Sequence, residues 1–250
     1  MLAITRQKTI LELIKERHSV NVTDLAENFC VTNETIRRDL KALEEDGELT
    51  RTHGGAYITE GVCNNIDVSM RAVIRKQEKE RLAKKCVDLI ATGDSIFLDS
   101  STTDWFIARQ VIDKHITVLT HSLKIADILS ESKTVNLIVV GGNYVPKSMS
   151  FSGNLTEQSL KSYFVDKAFI SCRTVSMTNG VTDSNEDSSV PRQIMLRRCK
   201  SAYLVVDHTK LDGISFLQIC DVADLTAIIC DEKLPQNWLS YLSSVGVEAI

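Results

Sequence analysis

No stretch of this chain comes near the roughly 18 consecutive apolar residues that a membrane-spanning helix needs. Met1 to Ile10 lacks the apolar core and small-residue cleavage site of a secretory leader. Both absences argue against a membrane partner, and the expected location is the cytoplasm. Cysteine is present without pattern: seven residues, Cys30, Cys63, Cys86, Cys172, Cys199, Cys220 and Cys230, odd in number and never closely spaced. That spacing argues against a disulfide framework or a metal cluster and for reduced thiols in apolar surroundings. No metal and no cofactor are expected. Internal repeats and low-complexity tracts are missing too. A general excess of basic charge is also lacking, because the formal net charge is −4 and residues 1–58 carry eight Lys/Arg against ten Asp/Glu. Any contact with nucleic acid must therefore come from the local placement of a few cations.

What the chain does have is size and pattern. Its 250 residues, 43% hydrophobic and 25% charged, suffice for one large and one small domain. Residues 1–58 read as three helices and a hairpin, the order of a winged helix. Ile10, Leu13 and Ile14 make an apolar stripe on the first helix. Thr23 is a capping residue for a short second helix with Leu25, Ala26 and Phe29 inward, and Cys30-Val31 makes a tight turn. Thr32 caps a third helix, where Ile36, Leu40 and Leu43 at i, i+4, i+7 leave a polar face outward, and Gly47 stops it. Short strands over Glu48 to Thr52 and Ala56 to Thr59 would flank His53-Gly54-Gly55. Residues 59–69 are polar and aperiodic, and the linker is drawn over 59–74, with a second domain over 75–250. A charged helix is expected from about Met70 to Ile90, its many basic residues reading as a solvated face.

From Ser95 on, short apolar strands alternate with helical stretches. The strands are Ser95 to Leu98, Ile116 to Leu119, Asn136 to Val140, Ala168 to Ser171, Tyr203 to Val206 and Ala227 to Ile229. The helices are Trp105 to Ile112, Leu123 to Leu129, Leu155 to Tyr163 and Arg192 to Cys199. The fold class is α/β, with a mainly parallel sheet covered on both faces.

Val20 to Leu43 has helix-turn-helix spacing, in which the second helix enters the major groove of double-stranded DNA. With Ile36, Leu40 and Leu43 inward, the residues left to meet DNA are Thr32, Asn33, Glu34, Thr35, Arg37, Arg38 and Lys41. Arg51 and His53 would reach an adjacent phosphate or the minor groove from the hairpin. Arginine can read guanine edges bidentately or neutralise phosphate. Asp39, beside Arg38, also reads as a structural partner for it. In the larger domain Asp99-Ser100-Ser101-Thr102-Thr103 lies between a buried strand and a helix N-terminus, where free N–H groups and hydroxyls suit an anion such as phosphate. The same string also reads as a helix cap with solvated hydroxyls. Asp99 would repel phosphate and is assigned to loop geometry or a sugar hydroxyl. Gly141, Gly142, Gly153, Asp183 and Glu186, with the Val206 to Lys210 segment, likewise fall just beyond strand ends.

The string Thr35-Ile36-Arg37-Arg38-Asp39-Leu40, followed by Leu43, Gly47 and Arg51-Thr52-His53-Gly54-Gly55-Ala56, resembles the DeoR family of bacterial regulators. The resemblance runs over nearly the whole chain. It implies a winged helix-turn-helix whose motif spans Val20 to Asp39. It also implies an effector domain similar to ribose-5-phosphate isomerase and coenzyme A transferases, sensing a phosphorylated sugar or related metabolite. In that reading the Asp99–Thr103 loop holds phosphate, Lys210 supplies a cation and Arg192 a second. The family's usual glutamate two residues after Glu186 is replaced by Ser188, with Pro191 expected to start the following helix, so Glu186 or Asp187 would have to substitute. The function implied is a DNA-binding repressor of a sugar-utilisation operon, acting as a homo-oligomeric dimer or tetramer on paired half-sites. The alternatives are a sugar-phosphate isomerase with a DNA-binding arm, using Glu186 or Asp183 as base, and a winged helix that binds protein.

Overall fold

The computed structural model describes residues 2–17, 19–52, 54–58 and 68–250. The chain divides into two compact units, Met1–Arg75 and Lys76–Ile250.

In the first unit, α1 (Ala3–Arg17) is followed by a short strand β1 (Ser19–Asn21) and then α2 (Val22–Phe29). The cap of α2 is Asn21, whose Oδ1 accepts from the Thr23 N–H at 2.9 Å, so Thr23 sits within the first turn rather than at the boundary. Both residue types cap, and the one placed earlier does so. Cys30 closes the turn in the left-handed region, at φ 52. α3 (Asn33–Glu45) starts on Thr32, whose hydroxyl accepts from the Thr35 N–H. The wing is β2 (Thr50–Arg51) and β3 (Gly55–Tyr57), and β1 joins it to give the antiparallel order β1-β3-β2. Gly55 is required at that junction, because a Cβ there would stand 2.0 Å from the Val20 carbonyl oxygen. Ile10, Ile14, Leu25, Ile36, Leu40, Leu43 and Ala56 form the core.

The charged helix expected from Met70 to Ile90 is two helices. α4 (Val68–Val73) ends before Arg75, which takes φ 52, and α5 (Lys76–Asp88) begins beside it. A non-glycine residue in the left-handed region ends the helix with no Gly or Pro to mark it. The described part of the expected linker is therefore helical over 68–73. Residues His53 and Thr59 to Asp67, with Cys63 among them, lie outside the described residues.

The second unit continues with β4 (Ser95–Leu98), α6 (Thr102–Gln110), β5 (Thr117–Thr120), α7 (Leu123–Leu129) and β6 (Asn136–Val139). A hairpin of β7 (Asn143–Val145) and β8 (Ser150–Ser152) leads into α8 (Asn154–Leu160) and β9 (Val165–Ile170). Then come β10 (Thr174–Ser176), β11 (Gly180–Asp183), α9 (Glu186–Leu196), β12 (Cys199–Val206), β13 (Leu217–Cys220), β14 (Ala227–Cys230), α10 (Gln236–Val245) and β15 (Glu248–Ala249). Seven strands form one parallel sheet in the order β15-β14-β12-β9-β4-β5-β6. Ile96, Phe97 and Leu98 are all fully buried, as a strand covered on both faces requires. α9 covers the face that carries Phe97, Leu119, Ala168 and Leu204, joining their core through Met195. A second, antiparallel sheet, β10-β11-β13, is absent from the sequence-based expectation.

Pro191 does not start α9. Asn185 caps the helix, its Oδ1 accepting from the Ser188 N–H at 3.0 Å, and Pro191 sits at the sixth position. The proline removes one helical donor there, and the ordering energy comes instead from the cap and from the buried contacts of Ser189, Arg192 and Met195.

Candidate DNA-reading face and effector site

Burial of Ile36, Leu40 and Leu43 turns the opposite side of α3 to solvent. Asn33, Glu34, Arg37, Arg38 and Lys41 are exposed there with Thr32, and Thr35 is half-buried. Glu34, Arg37, Arg38 and Lys41 recur at i, i+3, i+4, i+7 and so share one face. Arg37 meets Glu34 at 3.6 Å and Lys41 meets Glu45 at 3.7 Å. Such exposed pairs are weak and screened by salt, so neither holds its cation back from a phosphate.

Asp39 does not pair with Arg38. It turns inward and binds Arg6 of α1, with Nε to Oδ2 at 2.5 Å and Nη2 to Oδ1 at 3.2 Å, while Gln7 donates at 3.3 Å. A bidentate buried pair fixes the rotation of α3 about its axis. Arg51 is also paired within its unit. Its Nε and its backbone N–H both donate to the Glu44 carboxylate, at 2.7 and 2.8 Å, and the side-chain and backbone bonds together hold Glu44 below the usual carboxylate range. Arg51 therefore braces the wing against α3. An open concavity of about 510 Å³ nonetheless brings Arg37, Arg51 and Arg75 to one lining with Tyr57. His53 lies outside the described residues.

In the second unit the chain runs outward from β4 to β5 and β6, then returns to place β9 on the other side of β4. The strand order reverses between β4 and β9, and ligands of open α/β sheets collect beyond the carboxyl ends at such a point. The Asp99–Thr103 loop lies there. Its Ser101 hydroxyl caps α6, accepting from the Asp104 N–H at 3.1 Å. Among the described residues, the hydroxyls of Ser100, Thr102 and Thr103 make no hydrogen bond within the protein, although all three residues are buried.

Of the two readings of Asp99, the bonds favour loop geometry, and the role expected of Arg192 as a free cation is corrected. Asp99 is fully buried, and both its oxygens are engaged: Oδ2 accepts from the Ser171 N–H at 3.0 Å and from Arg192 Nε at 2.5 Å, and Oδ1 accepts from the Ser101 N–H at 2.5 Å. It shapes the loop through these bonds. Burial pushes its pKa up, but Arg192 and the two serine amides outweigh that and hold it below the ordinary value. Arg192 joins Asp99 to Asp183 and is itself buried, so it is not a cation free for a phosphate. Asp104 shows the opposite balance: burial first, then the negative charge of Asp99, push its carboxyl well above the ordinary range.

Two of the three glycines, Gly142 and Gly153, pack closely against neighbours, and Gly141 does not. Gly142, at φ 156, lets α8 approach, since a Cβ would stand 2.0 Å from Thr156 Oγ1, which itself donates to the Gly141 carbonyl at 2.9 Å. Gly153 precedes α8 beside Asn143. Glu186 is exposed on the first turn of α9, and Asp187 accepts from Ser152 at 2.7 Å. Lys210 lies beyond β12, its carbonyl accepting from Thr174 Oγ1 at 2.7 Å. Asp99, Asp183 and Arg192 thus form one cluster, while Gly141, Gly142 and Gly153 gather at the β7–β8 hairpin.

His121, just after β5, carries no motif that singles it out in the sequence. It is fully buried and stacks on Phe97 with ring centroids 5.8 Å apart. Burial lowers its pKa to about 4, with Asp99 pulling up and Arg192 pushing down. The unfolded chain takes up this proton near pH 6.5 and the folded chain only near 4, so stability is lost as pH falls through that window. Urea titrations at pH 7 and about 4.5 are expected to show His121→Phe without that part of the loss, a difference of up to about 3 kcal/mol.

Family profiles match both units: the DeoR-like helix-turn-helix domain over residues 6–62, and the DeoR C terminal sensor domain over residues 74–232. The chain belongs to the DeoR family. Among relatives of this DeoR-family regulator, the uncharacterized HTH-type transcriptional regulator YulB of Bacillus subtilis (strain 168) is 38% identical, over 94% of this chain and 91% of that protein. The putative aga operon transcriptional repressor of Escherichia coli O157:H7 is 33% identical, over 98% and 92%. Among solved structures, ribose 5-phosphate isomerase A of Methanocaldococcus jannaschii aligns over 54% of each chain at 17% identity and a TM-score of 0.41. The DeoR-family chain is thus a DNA-binding transcriptional regulator with a sensor domain, and among its described residues no helix is long and apolar enough to cross a membrane.

Proposed function

We propose that this DeoR-family regulator is a cytoplasmic repressor of a sugar-utilisation operon, released from its operator by a phosphorylated sugar. The observation that carries the sensing half is the loop at the strand-order reversal: three uncommitted hydroxyls and the N-terminus of a nine-residue helix converge there. A phosphate dianion takes donors of that kind, and the positive end of the α6 dipole favours it. Lys210, which follows β12 two strands away from β4, is the cation that the family resemblance assigns to the phosphate. The DNA half rests on the exposed guanidinium groups of Arg37 and Arg38. Similarity to the aga operon repressor supports the sign. Effector and operator are linked because a metabolite that prefers one arrangement of a homo-oligomer shifts the population of the DNA-binding form.

The isomerase reading lacks a placed base. The Asp183 carboxylate is tied to Arg192 and to the Ser184 N–H, and Glu186 stands exposed at the start of α9. We read the chain as a non-enzyme on that ground, and incubation with pentose and hexose phosphates is expected to yield no isomerised product.

Gel shifts with DNA from upstream of its own operon are expected to give a salt-sensitive complex that a sugar phosphate dissolves. Thr102→Val with Thr103→Val removes two hydroxyls at nearly constant shape. The double variant is expected to bind that DNA as the wild type does and to need at least about tenfold more sugar phosphate for release. Unchanged release would remove the loop from the effector site.

A further inference from the structure

In the sheet, Phe97 of β4 stands beside Leu119 of β5. Side chains alternate along a strand, so two residues further on Asp99 and His121 lie on that same face, the one covered by α9. His121 therefore borders the loop described above, and the charges of Asp99 and Arg192 both act on its ring. Its backbone surroundings are fully committed. The His121 carbonyl accepts from the Phe151 N–H at 2.9 Å, Thr120 Oγ1 donates to the Leu98 carbonyl at 2.8 Å, and Ser122 caps α7. Stacking on Phe97 fixes the ring plane.

The ring nitrogens are not committed, and at the start of α6 Asp104 Oδ1 and Trp105 Nε1 are likewise unpaired among the described residues. Neither Nδ1 nor Nε2 has a hydrogen-bond partner among the described residues, though both are buried. Buried polar atoms in native proteins are almost always paired, and an orphan is an unfavourable feature that a phenylalanine of the same shape would avoid. The uncharged imidazole offers one donor and one acceptor. Phosphate oxygens only accept, whereas a hydroxyl both donates and accepts. Phosphate therefore matches the Ser100, Thr102 and Thr103 hydroxyls, and a polyol matches the imidazole.

We infer that His121 is the residue that reads the hydroxyl groups of the effector, pairing both ring nitrogens with the sugar portion while the adjoining loop holds its phosphate. The inference rests on the sensor reading above. It predicts a division of labour: the loop gives affinity for any phosphate, and His121 separates sugar phosphates from phosphate alone.

Thermal denaturation of the full chain tests it, with aldose and ketose phosphates as one set of probes and inorganic phosphate as the other. Wild type is expected to be stabilised more by at least one sugar phosphate than by inorganic phosphate. In His121→Phe the sugar-phosphate affinity is expected to fall at least about tenfold, to the level of inorganic phosphate, while the melting temperature without ligand stays level or rises. His121→Asn keeps a donor and an acceptor and should retain an intermediate response. His121→Leu carries the same test if the phenylalanine variant does not fold. A wild-type response in His121→Phe or His121→Leu overturns this inference and leaves the sensor reading standing. A lower melting temperature in both His121→Phe and His121→Leu, with undiminished ligand response, would assign the ring to structure. A wild-type chain that binds DNA and responds to none of the sugar phosphates overturns the sensor reading and this inference together.

Discussion

Replacing Arg37 and Arg38 together by alanine is expected to weaken specific operator binding by roughly two to three orders of magnitude while leaving the fold intact. The magnitude follows from two guanidinium groups worth about 1–3 kcal/mol each at a base edge or a desolvated phosphate. The fold is spared because both side chains are exposed and the ion pair removed, Arg37 to Glu34, is a surface pair at 3.6 Å. Fluorescence anisotropy with operator and scrambled duplexes separates two components. If one arginine reads a base, the ratio between the duplexes collapses. If both touch phosphate, the two affinities fall together and the salt slope drops by about 1 for each phosphate no longer neutralised. A double variant that binds as tightly as wild type would show that α3 does not face DNA through these residues.

Arg192→Met is expected to be the most damaging single change in the sensor unit, costing about 3–5 kcal/mol. The guanidinium bridges Asp99 and Asp183, and its removal leaves one fully buried and one largely buried carboxylate without their shared cation. A domain stable by about 5–15 kcal/mol is brought close to its threshold by such a loss. Arg192→Lys is expected to rescue little, because one ammonium cannot span both carboxylates as the planar fork does. Adding Asp99→Asn and Asp183→Asn to Arg192→Met is expected to recover much of the stability, since the residual cost is uncompensated charge. Urea midpoints at neutral pH give the ranking. The pH dependence has a definite sign: Asp99 has a lowered pKa when folded, so its contribution is present above 3.8 and is lost only as pH falls below that. A mild effect of Arg192→Met on the midpoint would mean that the carboxylates find other partners.

How much of the molecule is legible in its sequence depends on whether the signal is local. The strands β4, β5, β9, β12 and β14 contain short apolar runs that a doubly covered sheet buries, β6 is a partly exposed edge strand, and α6 to α8 fall close to where periodicity places them, whereas α9 begins six residues before the expected Arg192. Thr32 and the Ile36, Leu40, Leu43 stripe likewise act within one helix. The antiparallel strands β10 and β11 read Thr-Val-Ser and Gly-Val-Thr-Asp, too short and polar to stand out, and their burial comes from a sheet partner near residue 218. Pairings distant in sequence are equally silent: Arg6 with Asp39 across 33 positions, and Arg192 with Asp99 across 93. The family resemblance puts Arg192 near the effector and chain order puts Asp99 in the adjoining loop, and nothing local reveals that they neutralise each other. Pro191 misleads because its usual place is a first turn, whereas Asn185 has already begun α9. His121 has a legible trace, since it lies two residues beyond buried Leu119 and shares its face. Its unpaired nitrogens become visible only once the neighbours are in place.

The anchoring of Asp39 to Arg6 has a consequence for how this regulator meets its target. Arg37 and Arg38 sit immediately before the anchored carboxylate, so the direction in which they project is inherited from a residue near the start of the chain. A chain altered only at Arg6 would keep every group proposed to meet the duplex and yet is expected to present them turned away from the bases, so that it loses its genomic address through a position no footprint would reveal.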